Sequence, residues 1–264
     1  MTQSQQTQRW SAGLADLLCL CPSLFLLVQS LALRWDYPFL FPQRISLQAW
    51  QAVLGSGQLH QSLLLSITAS TVVGCFSTTA GFVTSRYVAW HARRPQLLFL
   101  AYVPFVISPV ILGTCLLHFF IELGIADTLF GIMAGQVIIA YGFAIVFFVR
   151  FWNARIRSMQ DLVLTLGGNT WSAFRFVLVP VARGPLLVCF CQTFLISWFD
   201  YGLAVIIGGG KIPTLTVRLF GFISEANMPV AAVSALFLIT PPTLLFWLTR
   251  RLLLDPARLS CSCK

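Results

Sequence analysis

An all-α membrane protein built as a bundle of six transmembrane helices is the fold this sequence predicts, and three observations carry the prediction. Apolar residues make up 58% of the 264 positions and charged residues only 9%, a balance outside the soluble range. Six stretches reach the roughly 20 apolar residues that a bilayer core of about 30 Å requires. Lysine and arginine, finally, are segregated between the connectors on one side and those on the other.

The six expected spans are Ala12 to Leu33, Ser62 to Thr84, Gln96 to Ile121, Thr128 to Val149, Gly184 to Ile207 and Met228 to Thr249. The first has an apolar region longer than a secretion signal's, with no small-residue cleavage site after it, and is read as a retained helix. The connectors are too short, at about 25 to 35 residues, to form a core of their own, so one membrane domain over residues 1–264 is expected.

A formal net charge of +9 would suggest nucleic acid as a partner of a soluble protein, but its placement indicates topology. Arg9, Arg86, Arg93, Arg94, Arg150, Arg155, Arg157, Arg175, Arg183, Arg250, Arg251, Arg258 and Lys264 fall on one side; Arg34, Arg44, Lys211 and Arg218 fall on the other. The positive-inside rule then puts both termini in the cytoplasm. Membrane lipid, and no nucleic acid, is the expected environment.

Cys19, Cys21, Cys75, Cys115, Cys189 and Cys191 lie within the spans and are read as small buried hydrophobes, with no disulfide framework. Cys261 and Cys263 supply two soft ligands, short of a tetrahedral site. His60, His91 and His118 are scattered, so no metal site is expected. No phosphate-binding glycine loop, serine elbow or His-Glu protease motif is present, which removes ATP hydrolysis or other catalysis from this chain.

The outer connector Arg34 to Gln61 carries Tyr37, Pro38, Pro42 and Trp50, with a short amphipathic helix near Leu47 to Leu54. It reads as a membrane-surface anchor or as a docking site for another protein. Pro104, Pro109, Gly113, Pro241 and Pro242 interrupt the third and sixth spans, where a continuous helix would lose backbone hydrogen bonds. Asp200, in Ser197-Trp198-Phe199-Asp200-Tyr201-Gly202, is a carboxylate inside the fifth span. It must face protein or a wet cavity, as a pathway residue or an interhelical bond. Pro109, Ser197 and Asp200 are the candidate pathway residues.

A connector of about residues 158–183 is apolar although it belongs to the arginine-rich side. Leu162, Leu166, Trp171, Phe174 and Val177 recur at helical intervals around Gly167-Gly168, which reads as two short helices with a glycine break. Asn169 can cap the second helix, and Pro180 is expected to end it. Such a helix-turn-helix suits docking into a groove of another protein; the alternative is a helix that lies on lipid.

This connector resembles the signature loop of permease subunits in binding-protein-dependent ABC importers of type I (MetI-like), which reads Glu-Ala-Ala, two residues, Leu-Gly-Ala, then Trp, Phe, Val and Leu-Pro. Asp161, Leu162 and Val163 stand at the Glu-Ala-Ala positions, Leu166-Gly167-Gly168 at Leu-Gly-Ala, and Trp171, Phe174, Val177, Val179 and Pro180 follow in register. Pro104 to Gly113 is similar to the family's pore-side third helix, Phe194 to Tyr201 to its F-x-x-S-x-x-D element, and Pro213 to Val217 to its strand-like outer segment. Similarity runs from about Tyr37 to Leu253, nearest to permeases for polyamines, ferric iron or thiamine.

The resemblance implies a permease in the bacterial inner membrane, paired with itself or a sister subunit. It would sit on a dimer of ATP-binding subunits that hold ATP and Mg, below a periplasmic solute-binding protein. Asp161, Leu166, Gly167, Gly168, Trp171, Phe174, Arg175 and Pro180 would be its ATPase-docking residues, with no cofactor in the chain itself. The alternatives are a secondary transporter, which would carry repeated halves with paired broken helices, and an intramembrane enzyme, which would need a catalytic partner for Asp200. Neither an internal repeat nor such a partner is evident.

Overall fold

A computed structural model of the chain describes residues 21–35 and 43–254. In chain order its elements are α1 (Cys21–Leu31), β1 (Ala32–Arg34), β2 (Arg44–Ile45), α2 (Gln48–Gly55), α3 (Gly57–Trp90), α4 (Arg94–Val106), α5 (Pro109–Glu122) and α6 (Leu129–Val149). There follow α7 (Ala154–Thr165), α8 (Thr170–Ala173), a π-turn over Phe174–Leu178, α9 (Val179–Trp198), α10 (Gly202–Gly208), α11 (Leu215–Ser224) and α12 (Met228–Leu254).

Among the described residues, four helical stretches are long and apolar enough to cross a bilayer: Gly57–Trp90, Leu129–Val149, Thr170–Trp198 and Met228–Arg251. The pair α4 and α5 makes a fifth if counted as one broken span. The start of the expected first span, residues 12–20 with Cys19, lies outside the described residues, as do Arg9, Tyr37, Pro38, Pro42, Arg258, Cys261, Cys263 and Lys264.

Three expected spans need correction. The third is two helices bent by 101°. Ser108 is held in an extended conformation (φ −57°, ψ 138°) because it precedes Pro109, and Pro109 then opens α5 at its first turn, where its missing N–H costs nothing. The fifth starts earlier and ends earlier than Gly184 to Ile207: α9 stops at Trp198, and α10 is a separate short helix. Asp200 therefore lies in a break, outside any helix. In the sixth, Pro241 and Pro242 sit inside a continuous helix. Phe237 O, which loses its backbone donor at Pro241, accepts from Thr240 Oγ1 at 2.8 Å instead.

The structure forms two compact units. In the one made of residues up to 63 and 215–242, β1 and β2 pair antiparallel, a small sheet that an all-α reading omits. Helix α2 coincides with the expected amphipathic segment, and Trp50 on it donates Nε1–H to Ser30 Oγ at 3.2 Å and packs on Phe237. The segment Pro213 to Val217, expected to be strand-like, runs into helix α11, whose Leu215, Thr216 and Leu219 share a buried face.

The second unit, residues 64–214 and 243–254, is packed through glycines. Helix α6 carries no charge over its 21 residues and is capped by Thr128 Oγ1, which accepts from Gly131 N at 3.1 Å. A Cβ on its Gly142 would come within 2.7 Å of Ala101 O in α4, and one on Gly135 within 2.8 Å of Ile207 Cδ1 in α10. Gly81 of α3 is seated directly on Ala144 of α6. Small residues let helix backbones approach this closely where lipid offers no hydrophobic drive to association. Cys189 is buried as expected, but Cys21, Cys75 and Cys115 stand on exposed faces.

Candidate coupling loop and polar cluster

Helix α7 begins at a cap, Asn153 Oδ1 accepting from Ile156 N at 3.1 Å. It ends in a Schellman motif: Gly168 N donates to Val163 O at 2.9 Å and Gly167 N to Leu164 O at 3.1 Å. The two glycines serve differently. Gly167 has φ +85° with open space around it, so its demand is conformational. A Cβ on Gly168 would meet Val163 Cγ1 at 2.6 Å and Val163 O at 2.9 Å, so its demand is steric. Asn169 Oδ1 then accepts from Ser172 N and Ser172 Oγ, both at 2.8 Å, and caps α8.

Pro180 does not end this helix. The chain runs on from Thr170 to Trp198, and the π-turn, in which Val179 N donates to Phe174 O, takes up the local disruption just before Pro180. Leu162, Leu166 and Trp171 are 61%, 79% and 64% exposed, and Asp161, Arg175 and Pro180 are exposed as well. Phe174 is turned the other way, stacked by Trp171 at 5.8 Å and set against Phe82. Leu162, Leu166 and Trp171 thus form an exposed apolar edge around the glycine turn, with the charged Asp161 and Arg175 beside it and Phe174 packed inward.

The anchor is larger than the motif suggests. Trp152, buried, donates Nε1–H to Ser85 Oγ at 2.8 Å, within a cluster of Phe82, Phe148, Phe151 and Phe174. Arg86 of α3 lies over the Trp152 ring and donates to Gln160 Oε1 of α7 at 3.4 Å, while Arg157 of α7 lies 4.8 Å from the Trp90 ring centre. One cation–π contact, Arg157 on Trp90, and the Arg86–Gln160 bond therefore hold α7 beside the end of α3, while Arg86 over Trp152 holds the connector before it.

At the far end of α9, whose 20 residues span about 30 Å, the polar cluster assembles. Gln136, 4% exposed in the middle of α6, donates Nε2–H to Asp200 Oδ2 at 3.0 Å, with Ser197 O at 3.4 Å. Ser197 Oγ lies 2.7 Å from Gln136 Oε1 and 3.2 Å from Ser70 Oγ of α3. Asp200 also accepts from Leu203 N at 3.3 Å and Ala204 N at 3.2 Å, supplying the opening turn of α10 with acceptors. These bonds offset the cost of placing a carboxylate at membrane depth.

Pro109 belongs to the same neighbourhood: a Cβ on Gly202 would lie 3.6 Å from Pro109 Cβ and 3.3 Å from Val110 Cγ2. Ser197 and Asp200 meet through Gln136, and Pro109 is reached through Gly202. Gln136 and Ser70 escaped the sequence reading. The signal for Gln136 was a lone amide in a 21-residue apolar run; Ser70 carried none.

No protein-family model matches the chain. It is similar to the inner membrane ABC transporter permease protein YnjC of Escherichia coli (strain K12), 23% identical over 206 residues, which make up 78% of this chain and 38% of that protein. It is also similar to the probable ABC transporter permease protein y4oR of Sinorhizobium fredii (strain NBRC 101917 / NGR234), 22% identical over 189 residues, 70% of this chain and 68% of that protein. The chain thus spans well under half of the first relative's length. Among solved structures it superposes on a chain of a bacterial ABC transporter involved in the import of the acidic polysaccharide alginate, with TM-score 0.65 and 17% identity, covering 95% of this chain and 98% of that one. The chain is a multi-pass membrane protein with an ABC-transporter fold. In that fold it presents the glycine-turn loop at one end of α9 and the Gln136–Ser197–Asp200 cluster at the other.

Proposed function

We propose that the chain is the permease subunit of a type I, MetI-like ABC importer in a bacterial inner membrane. The observation that carries the reading is the α7–Gly167–Gly168–α8 turn, with exposed Leu162, Leu166 and Trp171, in a chain that shares its fold with an ABC transporter. An exposed apolar helix-turn-helix on the arginine-rich side calls for a protein groove to cover it. A pair of ATP-binding subunits, carrying ATP and Mg, is the partner that fits.

In this reading a second permease, identical or sister, completes the transmembrane pair, and a periplasmic binding protein delivers the solute. Closure of the ATP-binding subunits displaces the loop. The displacement passes through Trp152, Phe174 and the α3 contacts into α9, and so to the break at Phe199 to Tyr201. Pro109, Ser197 and Asp200 line the path. Both termini face the cytoplasm, all six spans cross the membrane, and the solute is of the polyamine, thiamine or ferric-iron class. The chain hydrolyses nothing itself.

The test is co-purification of the detergent-solubilised chain with an ATP-binding subunit encoded beside it, followed by ATPase assays in proteoliposomes with the neighbouring binding protein. Titration of that binding protein with spermidine, thiamine and ferric ion assigns the cargo. A chain that inserts into the membrane but captures no ATP-binding subunit would overturn the reading.

A further inference from the structure

The break between α9 and α10 is spanned by one side chain from a third helix. Gln136 Oε1 takes the Ser197 hydroxyl at 2.7 Å, on the last turn of α9, while Gln136 Nε2 reaches Asp200 Oδ2 at 3.0 Å, ahead of α10. Between these contacts the backbone leaves helical geometry at Phe199, with φ −90° and ψ 0°. Apart from the bond from Asp127 N to Ile207 O at its far end, at 2.9 Å, α10 packs through apolar contacts: Leu203 and Ile206 against Gly113 of α5, and Ile207 against Gly135 of α6. Apolar contacts of this kind fill space without fixing one position along the helix axis, whereas an amide with a donor and an acceptor in use does fix it.

We propose that Gln136 is a positioning residue, a latch that joins α9 to α10 and holds the Asp200 carboxylate on the opening amides of α10. The side-chain type matters. A carboxylate at position 136 would repel Asp200, and a leucine of similar size would leave the Ser197 hydroxyl and one Asp200 oxygen without their partner on α6. The consequence for solute passage, that α10 moves when the latch opens, rests on the permease reading; the latch itself does not.

The test is hydrogen exchange of the full-length chain in lipid nanodiscs, with protection measured on peptides covering Leu203 and Ala204, the two amides that donate to Asp200. Gln136→Leu should lower protection there at least tenfold and leave the α6 amides around Ile145 unchanged. Gln136→Glu separates positioning from space filling. Its carboxyl can donate to Asp200 only while protonated, and repels it once ionised. Protection at Leu203 and Ala204 should therefore be near wild type at pH 5.5 and fall at pH 8.5, with the wild-type protection factor constant.

Asp200 is the ionisable side chain bonded to Gln136. Helix α10 has no ionisable side chain, α6 has only Tyr141, which bonds Thr84, and those of α3, α5 and α9 are His60, Cys75, Arg86, Tyr87, Cys115, His118, Glu122, Arg183, Cys189 and Cys191. Protection within twofold of wild type in Gln136→Leu overturns the latch. So does a loss spread evenly through α3 and α6, or a Gln136→Glu variant whose protection ignores pH. Failure to capture an ATP-binding subunit would sink the permease reading without touching these measurements.

Discussion

Trp152 donates its indole N–H to Ser85 Oγ at 2.8 Å, and Ser85 in turn donates to Phe82 O at 2.8 Å, so the loop before α7 is tied into the backbone of α3. Both residues are buried, in the aromatic cluster that also receives Phe174 from beyond the glycine turn. A displacement of the loop must therefore carry α3 and the start of α9 with it.

Trp152→Phe keeps most of the ring packing and deletes one neutral hydrogen bond, for an expected loss of about 1 kcal/mol. Trp152→Ala also opens a cavity and should cost about 3–5 kcal/mol. Thermal unfolding in detergent reads the order. A Phe variant as unstable as the Ala variant would show that the bond, and not the ring, holds the loop.

The glycine turn predicts an unequal pair. Gly167→Val forces a branched side chain to φ +85° and should strain the turn by about 1–2 kcal/mol, while Gly167→Asn, at home in left-handed geometry, should be tolerated. Gly168→Ala should be damaging for a different reason, its collision with Val163. Co-purified ATP-binding subunit per inserted chain is the readout. It should fall for Gly167→Val and Gly168→Ala and hold for Gly167→Asn; equal loss in all three would point to side-chain contact with the partner instead.

The turn and its asymmetry show where sequence reasoning succeeds and where it stops. Glycine, Asn169 and the 3.6-residue spacing of Leu162 and Leu166 act locally, so the Schellman turn and the cap were legible. So was α6, expected over Thr128 to Val149 and observed from Leu129, because length and lack of charge suffice to define a span. Pro180 misled because a π-turn can accommodate a proline that a regular helix would reject. The break after Trp198 was hidden because Phe199 and Tyr201 look as apolar as the helix around them. The polar cluster depends on Gln136 and Asp200, 64 positions apart, and no local pattern encodes that meeting.

On the permease reading, Asp200→Asn should slow transport without loosening the ATP-binding subunit. The substitution removes the charge from the bonds that Gln136, Leu203 and Ala204 make to the carboxylate, and one of the two oxygens becomes a nitrogen that cannot accept. Weakening the charge-assisted bonds by about 1.4 kcal/mol would correspond to a tenfold change in rate. Binding-protein-stimulated ATPase activity and uptake of the assigned solute, measured together in proteoliposomes, check it. Unchanged uptake kinetics would give Asp200 a purely architectural role.

Gly81→Ala should loosen the α3–α6 contact, since the added methyl has to occupy the place of the Ala144 methyl. Overpacking of this kind costs about 1–3 kcal/mol. Gly55→Ala, where nothing stands within 4 Å, is the control and should be neutral or slightly stabilising. If both variants unfold alike by fluorescence-detected gel filtration after heating, the close approach at Gly81 is not limiting.

The turn after α10 separates backbone demand from charge pairing. Lys211 Nζ pairs with Asp127 Oδ2, but the two side chains are 68% and 41% exposed, so Lys211→Ala should cost no more than about 1 kcal/mol, less at high salt. Gly209 sits at φ +54° directly against the Asp127 carboxylate, and Asp127 N donates to Ile207 O at 2.9 Å. Gly209→Ala meets both the left-handed backbone penalty and that carboxylate, and displacing Asp127 would pull on the bond that closes α10. It should therefore destabilise more than Lys211→Ala at every ionic strength. The comparison is made by thermal unfolding at low and high salt. A larger, salt-sensitive loss in Lys211→Ala would instead make the ion pair the closure of α10.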